Sequence, residues 1–311
     1  MKKAVASILA FVIFSCLLSG RIQAQVRLNK VLIDSGILKA RLGDYQPALK
    51  DFDAAVTMDP GSAEAFYNRG VLKYEMKDYQ GAISDFTRVI ALRQSSAEPF
   101  FNRALAEDKL KDFDGAIQDY TKAVALKADY IDAYHNKGLD LMELGNYPEA
   151  EMNFSRAIQY KPVFPEAFYN RGLCRYNRKD YTTAIQDFDE AIRIDSSQAD
   201  YFASRGAAKA ASGQYPDAVL DFGFVISLRP DDISARMNKA LAQMHLKQFE
   251  DAVRTYSEII TMNPDNDEAY TNRGVAKQYL EKSTDACRDW EKAADLGNEK
   301  ARSYLLKYGK K

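Results

Sequence analysis

The sequence predicts an all-α protein, an α-solenoid built from repeated helix–turn–helix units. Three observations lead to this fold class: a period of 34 residues, columns of small and aromatic residues at fixed positions in the period, and turn residues between those columns. A period of this length is typical of stacked repeats. One helix pair cannot bury its own apolar face, so such units pack against their neighbours and share a continuous core.

Eight units follow one another without a gap when Asn29 is taken as position 1 of the first unit. The predicted repeats are 29–62, 63–96, 97–130, 131–164, 165–198, 199–232, 233–266 and 267–300. Residues 301–311 continue as a predicted capping helix, which a stack needs because its last apolar face would otherwise meet water.

Three columns explain how the two helices of a unit fit together. Position 8 is Gly or Ala, position 20 is Ala and position 24 is aromatic in all eight units. Small residues let two antiparallel helices approach closely, and the ring fills the space beside them. Turn residues such as Gly43 and Gly145 fall at position 15, and Pro148 and Pro216 fit at the start of the second helix.

The first 24 residues are expected to be an export signal and not part of the fold. Lys2 and Lys3 precede an apolar run, and Ala24 offers a small residue for cleavage. Residues 25–28 would then be a short linker before the repeats.

Two alternatives to cleavage after Ala24 stay open. The segment ending at Cys16 resembles a weak lipobox, so Cys16 could carry a lipid anchor. An uncleaved anchor is the other alternative, although the apolar run is short for a membrane span. The predicted location is outside the inner membrane, in the periplasm or cell envelope.

The composition describes an ordinary soluble globular chain: 46% hydrophobic residues, 28% charged residues and a formal net charge of −1. These values argue against a disordered chain and a multi-span membrane protein. A nucleic-acid partner is not expected either, because a binder driven by bulk charge is usually strongly basic.

The repeated pattern resembles the tetratricopeptide repeat family over all eight units. The resemblance implies a right-handed superhelix of helix pairs, with the first helices lining a concave groove. It also implies a scaffold that binds proteins or extended peptides, without catalytic residues and without a cofactor.

Two columns of opposite charge vary together along the chain. Five repeats carry Arg at position 7, and the same five carry Asp at position 23: Arg69 with Asp85, Arg103 with Asp119, Arg171 with Asp187, Arg205 with Asp221, and Arg273 with Asp289. The repeats with Lys137 or Lys239 at position 7 have no acid at position 23. These residues are predicted to form structural ion pairs between the two helices of a repeat; an anion site lined by the Arg residues is the alternative.

Position 6 supplies the candidate peptide-binding residues. It holds an asparagine in six repeats: Asn68, Asn102, Asn136, Asn170, Asn238 and Asn272. This column is similar to the asparagine ladder of O-linked N-acetylglucosamine transferases, which holds extended polypeptide. An amide can both donate to and accept from a peptide backbone. The alternative is a solvated residue of the family pattern.

Aromatic residues at positions 5 and 12 are expected to add apolar contacts in the groove, mainly in repeats 2–5. They are Tyr67, Phe101, Tyr169, Tyr74 and Tyr176. Position 2 is acidic in six repeats. A clamp for the C-terminal carboxylate of a ligand is therefore not expected.

The fourth repeat departs from the pattern, because Asp140 and Glu151 replace apolar residues at positions 10 and 21. A pair of carboxylates could bind metal or act in acid–base chemistry. The alternative is an ion cluster with Lys137, and neither a catalytic residue nor a metal site is predicted. Cys174 and Cys287 fall at mostly apolar positions and are expected to be buried spacers.

The sequence therefore favours a non-enzymatic scaffold of the cell envelope that holds an extended polypeptide segment in its groove. The alternative is a structural subunit or lipoprotein of an envelope complex that uses its convex face or its ends. Membrane contact is expected only through a lipid anchor or a partner complex, and the sequence does not define an oligomeric state.

Overall fold

The computed structural model describes residues 23–309, and the all-α prediction is confirmed there: this range is helices joined by short turns, without a strand. Helix α1 covers residues 23–41. The following helices are α2 (Tyr45–Met58), α3 (Ala63–Glu75), α4 (Tyr79–Leu92), α5 (Ala97–Lys109), α6 (Phe113–Leu126), α7 (Ile131–Glu143), α8 (Tyr147–Tyr160), α9 (Pro165–Asn177), α10 (Tyr181–Ile194), α11 (Ala199–Ala211), α12 (Tyr215–Leu228), α13 (Ile233–His245), α14 (Phe249–Met262), α15 (Asp267–Tyr279), α16 (Ser283–Asp295) and α17 (Glu299–Tyr308). Apart from Gln23 and Ala24, the predicted export signal lies outside the described residues, and so does Cys16.

The packing divides the chain into two compact units, one that ends at Gly145 and one that begins at Asn146. The division falls inside the predicted fourth repeat, where Lys137 and Asn153 stand in place of the Arg and Asp of positions 7 and 23. Within each unit, consecutive helices pack against each other as in an α-solenoid.

Residues 25–28 are helical and belong to α1, which corrects the prediction of a linker. Two amide side chains attach this part of α1 to the last turn of α2. Gln25 Nε2 donates to the carbonyl oxygen of Met58 at 2.8 Å, and Asn29 Nδ2 donates to that of Ala55 at 2.7 Å. These bonds give the start of α1 a partner and extend the helix beyond the repeat frame.

The core of each unit is built around the aromatic column of position 24. These rings are buried: Phe52, Phe86, Tyr120, Phe154, Phe188, Phe222, Tyr256 and Trp290. A Cβ atom placed on Gly172 would lie 2.7 Å from Phe188 Cε1, and one on Gly274 would lie 2.4 Å from Trp290 Nε1. Real Cβ atoms do not approach rings so closely, so glycine is required at these positions.

The turn inside each repeat has the same backbone conformation whether or not it contains glycine. Position 15 has a positive φ in all eight repeat frames: 83° at Gly43, 64° at Lys77, 62° at Lys111, 73° at Gly145, 64° at Lys179, 83° at Gly213, 58° at Lys247 and 61° at Glu281. The left-handed conformation costs a non-glycine residue roughly 1 kcal/mol. The packing of the two helices therefore fixes the turn, and glycine only lowers its cost.

Helix α17 covers the last helix pair at the C-terminal end. Ala301 is fully buried, and the ring of Trp290 lies 5.2 Å from that of Tyr304 between centroids. The helix starts two residues earlier than the predicted 301–311, since the Asn298 side chain accepts a hydrogen bond from the backbone N–H of Ala301 at 3.0 Å. Within residues 23–309, no helix is both long enough and apolar enough to span a membrane.

Candidate functional site

The structure brings the Arg and Asp columns together in all five repeats where the sequence pairs them. In the second repeat, Arg69 Nε lies 2.9 Å from Asp85 Oδ2, and Arg69 Nη2 lies 2.7 Å from Asp85 Oδ1. The other four pairs repeat this two-bond geometry. The five Asp side chains are buried, so the bidentate bonds satisfy charges that water does not reach.

Each of these Arg residues also makes a contact that the sequence reasoning missed. The third nitrogen, Nη1, reaches position 25 of the preceding repeat: Arg69 bonds Asp53 Oδ1 at 2.8 Å, and Arg171 bonds Ser155 Oγ at 3.1 Å. Position 25 is Asp, Ser or Thr before every one of the five Arg residues. One guanidinium therefore fastens both the two helices of its own repeat and the repeat before it.

A second cation, at position 11, binds the same Asp in most repeats. Lys73 Nζ lies 2.8 Å from Asp85 Oδ2, and equivalent contacts at 2.6–2.9 Å join position 11 to the Asp of position 23 in repeats 1, 5, 6 and 8. Repeat 3 has Glu107 in place of this cation. Glu107 Oε2 is buried and lacks a hydrogen-bond partner among residues 23–309. Burial, and then the charge of Asp119, raise the pKa of Glu107 to about 7.

Asp140 is the second carboxyl group of the N-terminal unit that has a buried oxygen without a hydrogen-bond partner in the described residues. It is 3% exposed and hydrogen-bonds Asp108, and its Oδ2 atom has no partner in the described part of the chain. Burial, followed by the charge of Asp108, raises the pKa of Asp140 to about 8, while Lys109 acts in the opposite direction. Asp140 therefore keeps its proton at neutral pH, beside the Asp108 side chain to which it is hydrogen-bonded.

Glu151 lies in the other unit, where Arg175 Nε and Arg178 Nη1 bind its two oxygens at 2.9 and 2.6 Å. These two cations balance its charge. Across the described helices, no group of three or more His, Cys, Asp or Glu side chains is placed to hold a metal ion. Cys174 is buried and Cys287 is partly buried, both as free thiols.

The asparagine column of position 6 is partly occupied by contacts inside the protein. Asn102 Nδ2 donates to the Tyr67 hydroxyl at 2.8 Å, and Asn272 Nδ2 approaches Met237 Sδ at 3.9 Å. Both contacts run to position 5 of the preceding repeat. Asn68 Nδ2 donates to the carbonyl oxygen of Glu64 at 2.8 Å, and Asn136 hydrogen-bonds the Tyr120 hydroxyl.

The donor side of several of these amides is therefore used within the stack. In the described helices, the carbonyl oxygens of the Asn68 and Asn102 side chains have no hydrogen-bond partner. Asn170 is half-buried and Asn238 is exposed. What these amides offer a ligand is mainly an acceptor.

The rings of positions 5 and 12 are half-buried and pack on the aromatic columns of their own repeats. Tyr67 and Tyr169 lie 5.9 and 5.8 Å from the rings of Phe86 and Phe188. Phe101 lies 5.8 Å from Tyr120, and Tyr74 and Tyr176 lie 5.4 and 5.5 Å from the tyrosines at position 17. One side of each ring belongs to the core, and only part of it remains for a ligand.

Comparison with known proteins identifies the family. Family models of the tetratricopeptide repeat match residues 33–99, 72–131, 135–199 and 209–272. The chain belongs to the tetratricopeptide repeat family. A comparison with curated protein sequences gives no match.

Solved structures show the same fold at low sequence identity. A tetratricopeptide repeat protein from Cytophaga hutchinsonii is 20% identical with a TM-score of 0.68, and the match covers 77% of this chain and 98% of that one. YrrB, described as having an unusual peptide-binding site, is 20% identical with a TM-score of 0.55, over 60% of this chain and 97% of its own. PilF of Pseudomonas aeruginosa is 16% identical with a TM-score of 0.56, over 70% and 99%.

We expect the substitution Arg205→Met to lower the free energy of unfolding by about 3 kcal/mol, because it leaves the buried carboxylate of Asp221 without its bidentate partner. The matched control is Arg193→Met, which removes an exposed pair with Glu190 and should cost less than about 0.5 kcal/mol. Urea unfolding followed by circular dichroism measures both. Equal costs for the two variants would show that the Arg205–Asp221 pair does not stabilise the fold.

We expect stability to fall as the pH rises from about 5 to about 8. The folded-state pKa values of Glu107 and Asp140, about 7 and about 8, lie above the ordinary values of 4.5 and 3.8. The folded chain therefore keeps protons that the unfolded chain releases, and this contribution is lost as the pH passes through the folded-state values.

The double variant Glu107→Gln, Asp140→Asn should flatten this dependence, measured as melting temperature against pH. The control is Glu75→Gln at an exposed position of the same unit, which should leave the slope unchanged. A double variant with the slope of the parent chain would contradict the assignment.

Proposed function

We propose that the chain is a non-enzymatic scaffold that holds an extended polypeptide segment along the first helices of its repeats. At 100° per residue, positions 2, 5, 6, 9, 12 and 13 fall on one face of a helix. This face presents a position 6 amide in six of the eight repeats, and half-buried Tyr or Phe rings at positions 5 or 12 in repeats 2, 3 and 5. The observation that carries the proposal is the pair of acceptor oxygens on Asn68 and Asn102, which are spaced by one repeat.

The amide oxygens would accept hydrogen bonds from backbone N–H groups of the ligand, whatever its side chains. Each such bond contributes a net of roughly 0.5–1.5 kcal/mol, so affinity rises with the number of repeats engaged. The ring edges of Tyr67 and Phe101 would add apolar contact beside each amide. YrrB, which shares the fold, is itself described as a peptide-binding protein, and this supports the proposal.

A second candidate function uses the outer face of the C-terminal unit. In α12, Leu220 and Phe224 are exposed at positions 22 and 26, where most other repeats carry polar or charged residues. Gly223 leaves open space beside them. This stripe favours a structural subunit that attaches to a partner complex through its outer surface.

We expect the double variant Asn68→Leu, Asn102→Leu to weaken peptide binding by about tenfold, because two acceptors are lost. Asn68→Asp with Asn102→Asp keeps an oxygen at each place and should retain binding. The ligand is a peptide selected on the parent chain from a library of unstructured sequences, and titration calorimetry gives its Kd. Lys122→Ala, on the exposed side of α6, is the control. Unchanged binding by the Leu variant would exclude these amides as the contact.

Export to the periplasm or cell envelope is part of the same proposal and is supported by Lys2, Lys3 and the apolar run after them. Mass spectrometry of the protein from a bacterial host should find Gln25 at the mature N-terminus. A lipid-modified Cys16 would favour the anchored alternative. A chain that still begins at Met1 would contradict cleavage.

A further inference from the structure

Positions 3 and 10 of the first helix are the places where one repeat docks on the repeat before it. Ala65 and Leu72 of α3 belong to one buried cluster with Phe52 of α2. Ala269 and Ala276 of α15 belong to another with Tyr256 of α14. In the helix pairs that follow another pair, these two positions are buried by the second helix of the pair before.

In the first repeat, the same two positions are open. They hold Val31 and Leu38, which are 61% and 59% exposed. Leu28 and Leu42 extend the row and are 50% and 70% exposed. We call these four residues the N-terminal stripe.

The N-terminal stripe has the spacing of a helix–helix contact. Its members are three, seven and four residues apart, with Ser35 in the middle interval, which keeps them on one side of α1. From Leu28 to Leu42 the stripe is about 21 Å long, about four helical turns. An occupant that matches it is one α-helix of that length.

The last described helix, α17, has a different composition on its outer side. Helix α17 buries Ala301 and exposes Glu299, Arg302 and Lys307, next to one exposed apolar residue, Leu306. Terminal elements of a stack need such a polar outer face for solubility. The outer side of α1 is apolar instead, as in a surface that is covered by a partner.

The charges beside the stripe define the partner's chemistry. Arg27 and Arg41 are exposed along one flank of the stripe. The acid on this flank, Asp34, is bound by Lys30 at 3.0 Å, and Lys30 also lies 3.0 Å from Glu64. The flank is therefore basic, and it complements a helix with acidic residues beside its apolar seam.

We propose that the N-terminal stripe binds an acidic amphipathic helix of a partner protein, which packs where the second helix of a preceding repeat would lie. A second copy of the chain fits less well. An antiparallel α1 pair with Val31 opposite Leu38 of the other copy places Arg27 close to Arg41 of that copy, and like charges repel. The exposed charges of α17 are Lys300, Arg302 and Lys307 against the single acid Glu299, so a head-to-tail contact also joins two basic surfaces.

The test uses two synthetic helical peptides that share one leucine seam and differ in their flanks, which are Glu in one and Lys in the other. Fluorescence anisotropy measures their binding to the purified chain, whose N-terminus is first read by mass spectrometry. We expect the Glu peptide to bind at least about tenfold more tightly than the Lys peptide, and the difference to shrink at high salt. Arg27→Glu with Arg41→Glu should reverse the preference.

Leu38→Glu should weaken binding of the Glu peptide by about tenfold or more, since it places a charge in the apolar seam. Leu306→Glu on α17 is the matched control and should have no effect. Leu38 is exposed, so both variants should keep the circular dichroism spectrum and melting temperature of the parent chain. The groove variant Asn68→Leu, Asn102→Leu should bind the Glu peptide normally, which separates this surface from the proposed peptide groove.

Four results would overturn the proposal. The Glu and Lys peptides could bind equally, or Leu38→Glu could bind as the parent chain does. Sedimentation could find a dimer that dissociates in Leu38→Glu, which would make a second copy the occupant. A chain that keeps residues 1–22 could fail to bind the Glu peptide while a chain beginning at Gln25 binds it, which would make the chain's own N-terminal segment the occupant.

Discussion

The three-way contact of the position 7 arginine is the interaction on which the rest of the repeat geometry depends. Two nitrogens hold the buried Asp of position 23 in the same repeat, and the third reaches position 25 of the repeat before it. A buried carboxylate is costly unless its partner meets it in good geometry, so the pair allows one register between the two helices. The guanidinium also lies over the ring of position 4, as Arg171 does over Phe168 at 5.4 Å, which fixes its own orientation. The contacts of the position 7 arginine therefore set the spacing of the groove residues at positions 5 and 6 along the stack.

The same ion pairs explain an exception to the repeat pattern in the N-terminal unit. The Asp of position 23 usually receives a second cation from position 11, and Glu107 removes that cation in repeat 3. Asp140 then adds a buried carboxyl group in the next first helix, beside Asp108. Protons on Glu107 and Asp140 take the place of the missing cations. A lower pH therefore stabilises this part of the N-terminal unit, whereas it does not stabilise the Arg–Asp pairs. The sequence signal was the single acid in a basic column.

The sequence predicts contacts between residue types that recur at fixed positions of the repeat. It misses contacts that a side chain makes to a backbone carbonyl or to a neighbouring repeat. Covariation within one chain is enough to pair Arg171 with Asp187, because an unpaired buried charge would be too costly. Lys179 itself does not indicate a left-handed turn, and the signal there is the glycine at the same position of other repeats; packing imposes the conformation on a residue that does not favour it. The helical start at Gln25 depends on a bond to the Met58 carbonyl, which no residue pattern encodes. The donor use of Asn102 depends on the Tyr67 hydroxyl, a contact visible only once the stacking distance is known.

The two proposed contact surfaces of the N-terminal unit lie on different sides of the first helices. The groove uses positions 2, 5, 6, 9, 12 and 13, whereas the N-terminal stripe uses the side that carries positions 3 and 10. Among the described residues, positions 3 and 10 are buried in repeats 2–8 and exposed in the first repeat, so the first repeat offers this side to another protein. The four apolar residues of the stripe are therefore distinct from the groove positions, although its basic flank reaches them: Lys30, Asp34 and Arg41 occupy positions 2, 6 and 13 of the first repeat. If both proposed surfaces bind, their different apolar residues would let one chain hold two partners at the same time.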